Sequence, residues 1–319
     1  ERRQFVPEVG LFWQTGHDDG MEFNINSRQT QDILRGAPSY RPSFNAYMIA
    51  DAPAIARIAT LAGNPDVAKE YSSKAETQKA KMVEMKWDTI RAFLFPVLKN
   101  NEERDGYKLK ALTRTYESGR YKGDPHGREL IGYVPWQFNL LKGEHQYDIA
   151  WKKLVDRDGF YAKFGPSFVE RNDPLFKVTN HCCWRSGQSW PYATTQTLKG
   201  LANLLQNGGT RLTAADYVHS GYNDLVITGL VGLVPRDDDT LQIHPLAPAE
   251  WDYFALDEVA YRGHLVSILW DRDGDRYGKG VGSHVLVECK NVHSPPKLDS
   301  IAIENAVPGK EPAAKTDLV

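Results

Sequence analysis

The sequence predicts a mainly α-helical fold, arranged as a toroid of paired helices, with a sandwich-like β region at its C-terminal end. Two observations support this prediction. Amphipathic stretches of helical period, separated by loops rich in glycine, proline and aromatic residues, fill most of the chain, and short β-rich runs follow them. We therefore expect a helical domain over residues 1–235, a β region over 236–307 and a disordered tail over 308–319.

The first two helices are predicted to form a tight antiparallel hairpin. The triplet Gly63-Asn64-Pro65 separates them, since glycine favours a helix C-terminus, asparagine caps a helix and proline fits a first turn. The apolar spacing predicts an inner face made of Phe44, Tyr47, Met48, Ile55, Ile58, Ala59 and Ala62 in the first helix, and of Val67, Tyr71, Ala75, Met82 and Met85 in the second. Further helices are expected over 147–155, 189–205 and 217–229.

The period changes after the stretch "GLVPRDDD". The runs "LQIHPL", "DEVAYRG", "HLVSILWD", "SHVLVECK" and "SIAIE" are typical of short strands broken by turns. The acidic loop "DRDGDRYGKG" (271–280) lacks the glycine position and the final glutamate of a calcium-binding EF-hand, so it is predicted to be a hairpin turn.

The composition excludes several classes of function. A formal net charge of -2 over 319 residues gives no electrostatic basis for binding nucleic acid or an anionic membrane. No apolar stretch approaches the ~20 residues of a membrane span. Cys182, Cys183 and Cys289 form neither a zinc-ligand nor a disulfide pattern, so no metal or other cofactor is expected. The chain starts at Glu1 with neither an initiator methionine nor a signal peptide, which predicts a fragment or a processed product.

The segment "GHDDGMEFNINSR" (16–28) is the first candidate for a functional loop. It carries Asp18, Asp19 and Glu22, and Met21 and Phe23 flank Glu22, which predicts that part of the loop is buried. A partly buried carboxylate is costly unless it has a role. Three interpretations stay open: a solvated acidic loop, a metal site built on His17 and its neighbours, and a catalytic or sugar-binding loop.

Three further stretches place aromatic and polar residues in loops. "CCWRSGQSWPYATTQTLKGLANLL" (182–205) brings Trp184, Arg185 and Trp190 to the start of a helix, where they could stack on a ring and hold a hydroxyl or carboxylate, or pack in the core. "GYVPWQFNL" (132–140) carries Trp136. "GPSFVERNDP" (165–174) carries Glu170 and Arg171, which predict a local ion pair or a substrate clamp. "DYVHSGYNDL" (216–225) adds His219, either a binding residue or a satisfied loop histidine.

These stretches, in this order, resemble the six-hairpin (α/α)₆-barrel glycoside hydrolases, in particular the mannosylglycerate hydrolase-like and trehalase-like enzymes. The resemblance implies hydrolysis of O-glycosidic bonds with inversion, in exo mode, with a carbohydrate as the partner and Glu22 as the general acid. It also implies a sugar-binding site that contains Asp18, Asp19, Arg28, Trp136, Arg171, Trp184, Arg185, Trp190 and His219. A secreted or periplasmic location is favoured by the substrate class alone.

Two features depart from the family pattern. The acid is Glu22 where trehalase and mannosylglycerate hydrolase carry aspartate, and the connector in "ANLLQNGGTRLTAADYVHS" is too short for the loop that usually supplies the general base. We therefore expect an incomplete toroid and a break in the chain before Gly208. Among the carboxylates present, Glu170 is the candidate base, and the missing loop is the alternative source.

Two other function classes stay open. A polysaccharide lyase would use a tyrosine and histidine pair with a charge-neutralising residue, and His219, Tyr222 and Asn223 fit that description. The lyase would release an unsaturated product that absorbs ultraviolet light. A carbohydrate-binding protein with a decayed site would bind sugar without turnover.

Overall fold

The computed structural model describes residues 3–20, 32, 34–104, 107–163, 165–176, 187, 189–209, 225–248 and 250–308. The chain divides into two compact units, 1–219 and 220–319. The division at residue 235 made from the sequence stays a prediction, and residues 309–319 of the predicted tail lie outside the described residues. No helix in the described ranges is both long enough and apolar enough to cross a membrane.

The first unit contains the helical hairpin that the sequence predicts. Helix α1 spans Pro42–Leu61 and helix α2 spans Pro65–Lys86, and the two pack on each other. Gly63 between them has a φ of 71°, a left-handed conformation that suits glycine. The Asn64 side chain accepts a hydrogen bond from the backbone N–H of Val67 at 3.4 Å, so it caps α2 as expected.

The predicted inner face of α1 is correct only in part: Ala59 is buried as predicted, but Ile55 and Ile58 are not. Ile58 is 66% exposed and Ile55 is also exposed. The buried positions of α1 are instead mostly small or polar residues: Pro42, Ser43, Asn45, Ala46, Ile49, Ala52, Ala56 and Ala59. Small side chains let neighbouring elements approach the helix backbone closely, and a reading of hydropathy alone gives such positions too little weight. In α2, Met82 is fully buried as predicted, whereas Val67, Tyr71, Ala75 and Met85 are only half-buried.

Outside the hairpin and the final helix, the described residues of the first unit form short strands, short helical segments and loops, and not long helices. The N-terminal strands are β1 (Phe5–Val6), β2 (Leu11–Phe12) and β3 (Ser39–Tyr40). After α2 come β4 (Trp87–Asp88), β5 (Phe93–Leu94), β6 (Val97–Leu98), β7 (Glu102–Arg104) and β8 (Tyr107–Leu109). All their pairings are antiparallel: β1 with β2, β3 with β6, β4 with β5 and β7 with β8.

Three short helical segments follow the strands. They are a 3₁₀ helix at Leu130–Tyr133, helix α3 at Val134–Gln137 and a 3₁₀ helix at His145–Leu154. The predicted helix over 147–155 is therefore present as a 3₁₀ helix. The helix predicted over 189–205 is confirmed as α4, Pro191–Gln206.

An ordinary turn follows α4. Gly208 has a φ of 78°, and the N–H of Gly209 donates to the carbonyl oxygen of Leu204 at 2.9 Å, which satisfies one of the last carbonyls of the helix. The predicted break before Gly208 is therefore wrong, because the two glycines close the helix. Most of the helix predicted over 217–229 lies outside the described residues, and Val226–Leu230 forms a π-helical turn.

Aromatic rings fill the main core of the first unit. The Tyr133 and Trp151 rings lie 4.3 Å apart between centroids, and the Trp136 and Trp151 rings lie 5.6 Å apart. Helix α4 approaches this core at Gly200, where a Cβ would lie 3.2 Å from Trp136 Cβ. The core therefore sits between α4 and the 3₁₀ segments.

The second unit is a β structure, which confirms the predicted C-terminal sheet region. One antiparallel sheet has the order β15-β10-β9, made of Ile301–Ile303, Leu241–Ile243 and Leu233–Val234. The other has the order β11-β12-β13-β14, made of Tyr253–Tyr261, His264–Asp271, Gly282–Val287 and Lys290–His293. Both sheets contribute to one hydrophobic cluster: Val231, Leu233, Leu241, Ile243, Val266, Ile268, Val285, Val287 and Val307.

The acidic loop after β12 is a hairpin connection, as predicted. The buried carboxylate of Asp271 accepts hydrogen bonds from the backbone N–H groups of Gly274, Arg276 and Tyr277 at 2.8–3.0 Å. An aspartate whose oxygens are taken by its own loop holds a turn, and the loop joins β12 to β13.

Candidate active site

A cleft of about 360 Å³ opens in the first unit where the starts of α1 and α4 meet an N-terminal segment. It is lined by Gln14, Asp18, Gly20, Ser43, Phe44, Tyr47, Trp190, Tyr192 and Gln196. Two of the residues predicted from the sequence, Asp18 and Trp190, are thus brought together. A concave site with aromatic walls and a few convergent polar groups is the usual form of a small-molecule site.

The segment Thr15–Gly20 holds Asp18 at the cleft. Asp18 Oδ2 accepts hydrogen bonds from the Thr15 backbone N–H at 3.1 Å and from the Thr15 hydroxyl at 2.9 Å. The 3₁₀ turn His17–Asp19 then ends at Gly20, whose φ is 70° and whose N–H donates to the His17 carbonyl oxygen at 3.2 Å. The carboxylate is therefore fixed by its own turn, with an exposed side facing solvent.

Trp190 forms an aromatic wall of the cleft. Its ring packs directly on the backbone of Gly20, where a Cβ would lie only 2.9 Å from Trp190 Cη2. The Tyr192 and Phe168 rings support it at centroid distances of 5.2 Å and 6.2 Å. Only glycine at position 20 lets the N-terminal segment come this close to the indole.

A hydrogen-bonded trio joins α1 to α4 at the cleft. The Tyr47 and Tyr192 hydroxyls lie 2.9 Å apart, and the Gln196 side-chain amide donates to the Tyr47 hydroxyl. The Tyr47 ring also packs edge-on against Phe138 at 5.0 Å. The sequence analysis placed Tyr47 in a helix core and did not select Tyr192 or Gln196. Their position within the first two turns of two helices is the only signal in the sequence that could have indicated them.

Gln14 is a further cleft residue that the sequence analysis missed. Its backbone exchanges two hydrogen bonds of 3.0 Å with Ser39, which fixes its position. The side chain is only 3% exposed, and its amide nitrogen has no hydrogen-bond partner among the described residues. Nothing in the sequence around Gln14 marks it out.

Glu22, Arg28, Trp184, Arg185 and His219 lie outside the described residues, as does the side chain of Asp19. The same holds for the alternative lyase residues Tyr222 and Asn223. No group of three or more potential metal ligands is found in the described ranges.

Glu170, the candidate general base, is engaged in a buried ion pair. One of its carboxylate oxygens accepts from the backbone N–H of Arg128 at 2.9 Å, and the other accepts from the Arg128 guanidinium. Glu170 is 5% exposed and is not among the residues that line the cleft. Since both oxygens are occupied by Arg128, the geometry favours a structural role over activation of a water molecule.

Trp136 and Arg171 do not line the cleft. Trp136 is 3% exposed and belongs to the aromatic core, which indicates a packing role in place of the predicted contact with substrate. The Pro-bearing stretch that is predicted to be a loop instead contains the short helix α3, in which Val134, Pro135 and Trp136 are buried. Arg171 is exposed and donates to the Tyr161 carbonyl oxygen at 3.1 Å, and its predicted ion pair with Glu170 is replaced by the pair with Arg128.

A layer of buried cationic and neutral titratable groups lies beside the aromatic core. Burial and the nearby Arg114 and Arg41 hold the pKa of Lys86 well below its usual range, and its ammonium donates to the Tyr40 carbonyl oxygen at 2.7 Å. Burial and the nearby Arg91 lower the pKa of His126 to about 3. His126 is therefore neutral in the folded protein at physiological pH.

Comparison with known proteins gives two family matches along the chain. Residues 1–227 match the mannosylglycerate hydrolase MGH1-like glycoside hydrolase domain, and residues 235–291 match the C-terminal domain of glycosyl hydrolase family 65. These matches confirm the family resemblance and the glycoside hydrolase class inferred from the sequence.

Two solved structures are similar to the chain. One, described as "Sialidase", has 31% sequence identity and a TM-score of 0.79, over 96% of this chain. The chain spans 30% of the length of that protein. The other, an uncharacterized conserved protein from Thermus thermophilus, has 17% identity and a TM-score of 0.37, over 56% of this chain and 36% of that one.

Proposed function

Since the chain belongs to the mannosylglycerate hydrolase MGH1-like glycoside hydrolase family, we propose that it hydrolyses O-glycosidic bonds with inversion, in exo mode, at the cleft between α1 and α4. The observation that carries this proposal is the cleft itself, in which the Trp190 wall faces polar side chains at the point where the N-terminal acidic segment arrives. Apolar sugar faces stack on aromatic rings, and polar groups beside the ring bind hydroxyls.

We propose Glu22 as the general acid. Glu22 follows the cleft residue Gly20 by two positions in the sequence. Because consecutive Cα atoms are about 3.8 Å apart, covalent geometry keeps the Cα atoms of residues 20 and 22 within about 7 Å of each other. A glutamate side chain on that segment can therefore reach a sugar that stacks on Trp190. The acid would protonate the leaving oxygen while a base activates water on the opposite face, with the two carboxyl groups roughly 6.5–9.5 Å apart.

Two described carboxylates, Asp18 and Glu170, are candidates for the general base. Asp18 is the carboxylate that lines the cleft, and Thr15 holds it on the same segment that leads to Glu22. Glu170 is paired with Arg128. Because this pairing occupies both carboxylate oxygens, we propose that Glu170 is not the base, and turnover of the Glu170→Gln variant tests this.

We also propose that the helices belong to an (α/α)₆ toroid. The cleft is formed by the N-terminal turns of α1 and α4, so helix starts and the loops before them gather at one end of the helical unit. That arrangement is what a toroid of helix pairs requires of its active-site end. An experimental structure in which Trp190 and the start of α1 lie at opposite ends of the helices would contradict the proposal.

The decisive experiment replaces the acid without changing its shape. Glu22→Gln should lower turnover of an unactivated glycoside by about 10²–10⁴-fold, the usual share of general acid catalysis, while binding stays nearly unchanged. Glycosides with good leaving groups, which need no protonation, should be affected much less. Glu76→Gln, on the exposed face of α2, is the matched control and should retain wild-type turnover.

The substrates for this experiment are chosen from the activities after which the similar proteins are named. They are mannosylglycerate, a sialoside and a panel of neutral p-nitrophenyl glycosides. NMR of the first-formed anomer reports inversion or retention. Wild-type turnover in Glu22→Gln would overturn the assignment of the acid. Binding without turnover would indicate a carbohydrate-binding protein, and an ultraviolet-absorbing product would indicate a lyase.

A further inference from the structure

Gln14 is a buried residue whose side-chain amide N–H donor has no hydrogen-bond partner in the part of the chain that the structure describes. Its side chain is only 3% exposed and lines the cleft, and no acceptor among the described residues lies within hydrogen-bond distance of its amide nitrogen. Leaving a buried polar group unpaired costs more than a typical hydrogen bond contributes. Such a group in a cleft is accounted for when a ligand supplies the missing partner.

The position of Gln14 is fixed before any ligand arrives. Its backbone forms both hydrogen bonds of a bridge to Ser39, immediately before the start of α1. Two residues earlier, the backbone of Phe12 is held by the Asn45 side chain, with both hydrogen bonds at 2.9 Å. A donor on so well-anchored a strand loses little freedom on binding, which favours a specific contact.

The chemistry around Gln14 indicates what the partner is. Gln14, Ser43, Tyr47 and Gln196 line the cleft with neutral amide and hydroxyl groups, and the charged side chain among the described lining residues is Asp18, an acid. The described lining contains no cation to neutralise a sugar carboxylate. A neutral ring hydroxyl can both accept from the Gln14 amide and avoid repulsion by Asp18.

We propose that Gln14 is a specificity-determining residue whose side-chain amide donates a hydrogen bond to a hydroxyl of an uncharged sugar ring stacked on Trp190. The proposal deepens the proposed function and rests on it, because it takes a sugar as the ligand of this cleft. It names the substrate class at this subsite as neutral glycosides, in preference to sialosides and other acidic sugars.

The test compares Gln14→Met with wild type in binding experiments. Methionine keeps the length of the side chain and removes the donor. Gln78→Met is the matched control, because Gln78 is also a buried glutamine but lies on α2 and does not line the cleft. The probes are methyl α-D-mannopyranoside, methyl α-D-glucopyranoside, methyl β-D-galactopyranoside and the methyl glycoside of N-acetylneuraminic acid, titrated by NMR.

We expect at least one neutral probe to bind wild type and to lose about tenfold in affinity in Gln14→Met, the share of one buried hydrogen bond, with no loss in Gln78→Met. The monodeoxy analogue of that probe that lacks the contacted hydroxyl should bind wild type about tenfold more weakly, and should lose nothing further in Gln14→Met. Melting of the free Gln14→Met protein should occur at or above the wild-type temperature, because the removed donor has no partner among the described residues there.

Three results would overturn the inference: no binding of any neutral probe, equal affinities in wild type and Gln14→Met, or a loss that remains the same for every monodeoxy analogue. Failure of the proposed function is distinguishable. Gln14-dependent binding without any hydrolysis would remove the enzymatic proposal and keep this one, whereas Glu22-dependent hydrolysis with binding that ignores Gln14 would do the reverse.

Discussion

Glu170→Gln distinguishes between two roles for this residue: the general base that the sequence suggests and the buried ion pair with Arg128 that the structure contains. In the structure Glu170 and Arg128 are 5% and 8% exposed, and the guanidinium also donates to the carbonyl oxygen of Arg91 and lies 5.9 Å from the Phe93 ring centroid. Glu170→Gln leaves the buried Arg128 guanidinium without its counter-charge. It also places an amide N–H of the new side chain opposite the guanidinium N–H donors. Removing one partner of a buried ion pair typically costs about 3–5 kcal/mol.

The expected result is a large loss of stability. For a unit of this size, about 3–5 kcal/mol corresponds to a fall in melting temperature of roughly 6–20 °C. The double variant Arg128→Met/Glu170→Leu removes both charges and replaces them by apolar side chains. It should recover most of the loss, since buried pairs are often replaced at little cost by apolar residues.

Circular dichroism melts and urea titrations of the two variants measure this directly, alongside turnover below the melting temperature. Where folded, Glu170→Gln should retain turnover within a few-fold of wild type. A variant that melts like wild type but loses turnover by several orders of magnitude would refute the structural interpretation and restore Glu170 as the general base.

Three further predictions concern single residues. The pKa of His126 falls to about 3 on folding, so between pH about 6.5 and 3 only the unfolded chain binds this proton. The free energy of unfolding should therefore decrease as the pH falls through that window, by up to about 1.4 kcal/mol per pH unit. Urea titrations at several pH values measure this slope, which the His126→Leu variant should lack. Gly132→Ala should lower the free energy of unfolding by about 3 kcal/mol or more, because the added Cβ would lie 2.2 Å from Phe93 Cε1. At Gly63 an added Cβ meets open space, so Gly63→Ala should cost only the backbone strain of a left-handed residue, about 1–2 kcal/mol. Thermal unfolding of both variants measures the difference. Trp190→Ala should weaken binding of the neutral glycosides and, because its ring is only partly buried against the core, should lower the melting temperature less than Trp136→Ala does. Trp136→Ala removes a buried core residue and should cost about 3–5 kcal/mol of stability while leaving binding nearly unchanged.

Local signals explain what the sequence predicts well. The Gly63-Asn64-Pro65 triplet defines the α1–α2 hairpin because each residue acts through its own backbone preference, whatever the rest of the chain does. The strands of the second unit follow from alternation over runs long enough to show a period, such as His264–Asp271. The two- and three-residue strands of the first unit, such as Phe93–Leu94, are too short to show a period, and the sequence does not predict them.

Long-range partners explain what it predicts poorly. Glu170 was paired with its neighbour Arg171, but the fold brings Arg128, 42 residues away, to its carboxylate. The Tyr47 and Tyr192 hydroxyls that join the two sides of the cleft are 145 residues apart, so no local pattern could reveal the contact. The composition of a loop can indicate that it carries functional side chains. Which side chains meet in the cleft depends on tertiary packing, which no local pattern in the sequence shows.

The buried face of α1 has a consequence for how this helix can diverge. Its most constrained positions are Ala46, Ala52, Ala56 and Ala59, where the constraint is on volume, while the large apolar Ile58 lies mostly in solvent. A saturation mutagenesis scan should therefore find lysine or glutamine at position 58 nearly neutral, and valine or leucine at position 56, usually scored as conservative, strongly depleted. On this helix, a substitution table that ranks exchanges by polarity would therefore penalise the tolerated polar residues at position 58 and favour the disruptive apolar residues at position 56.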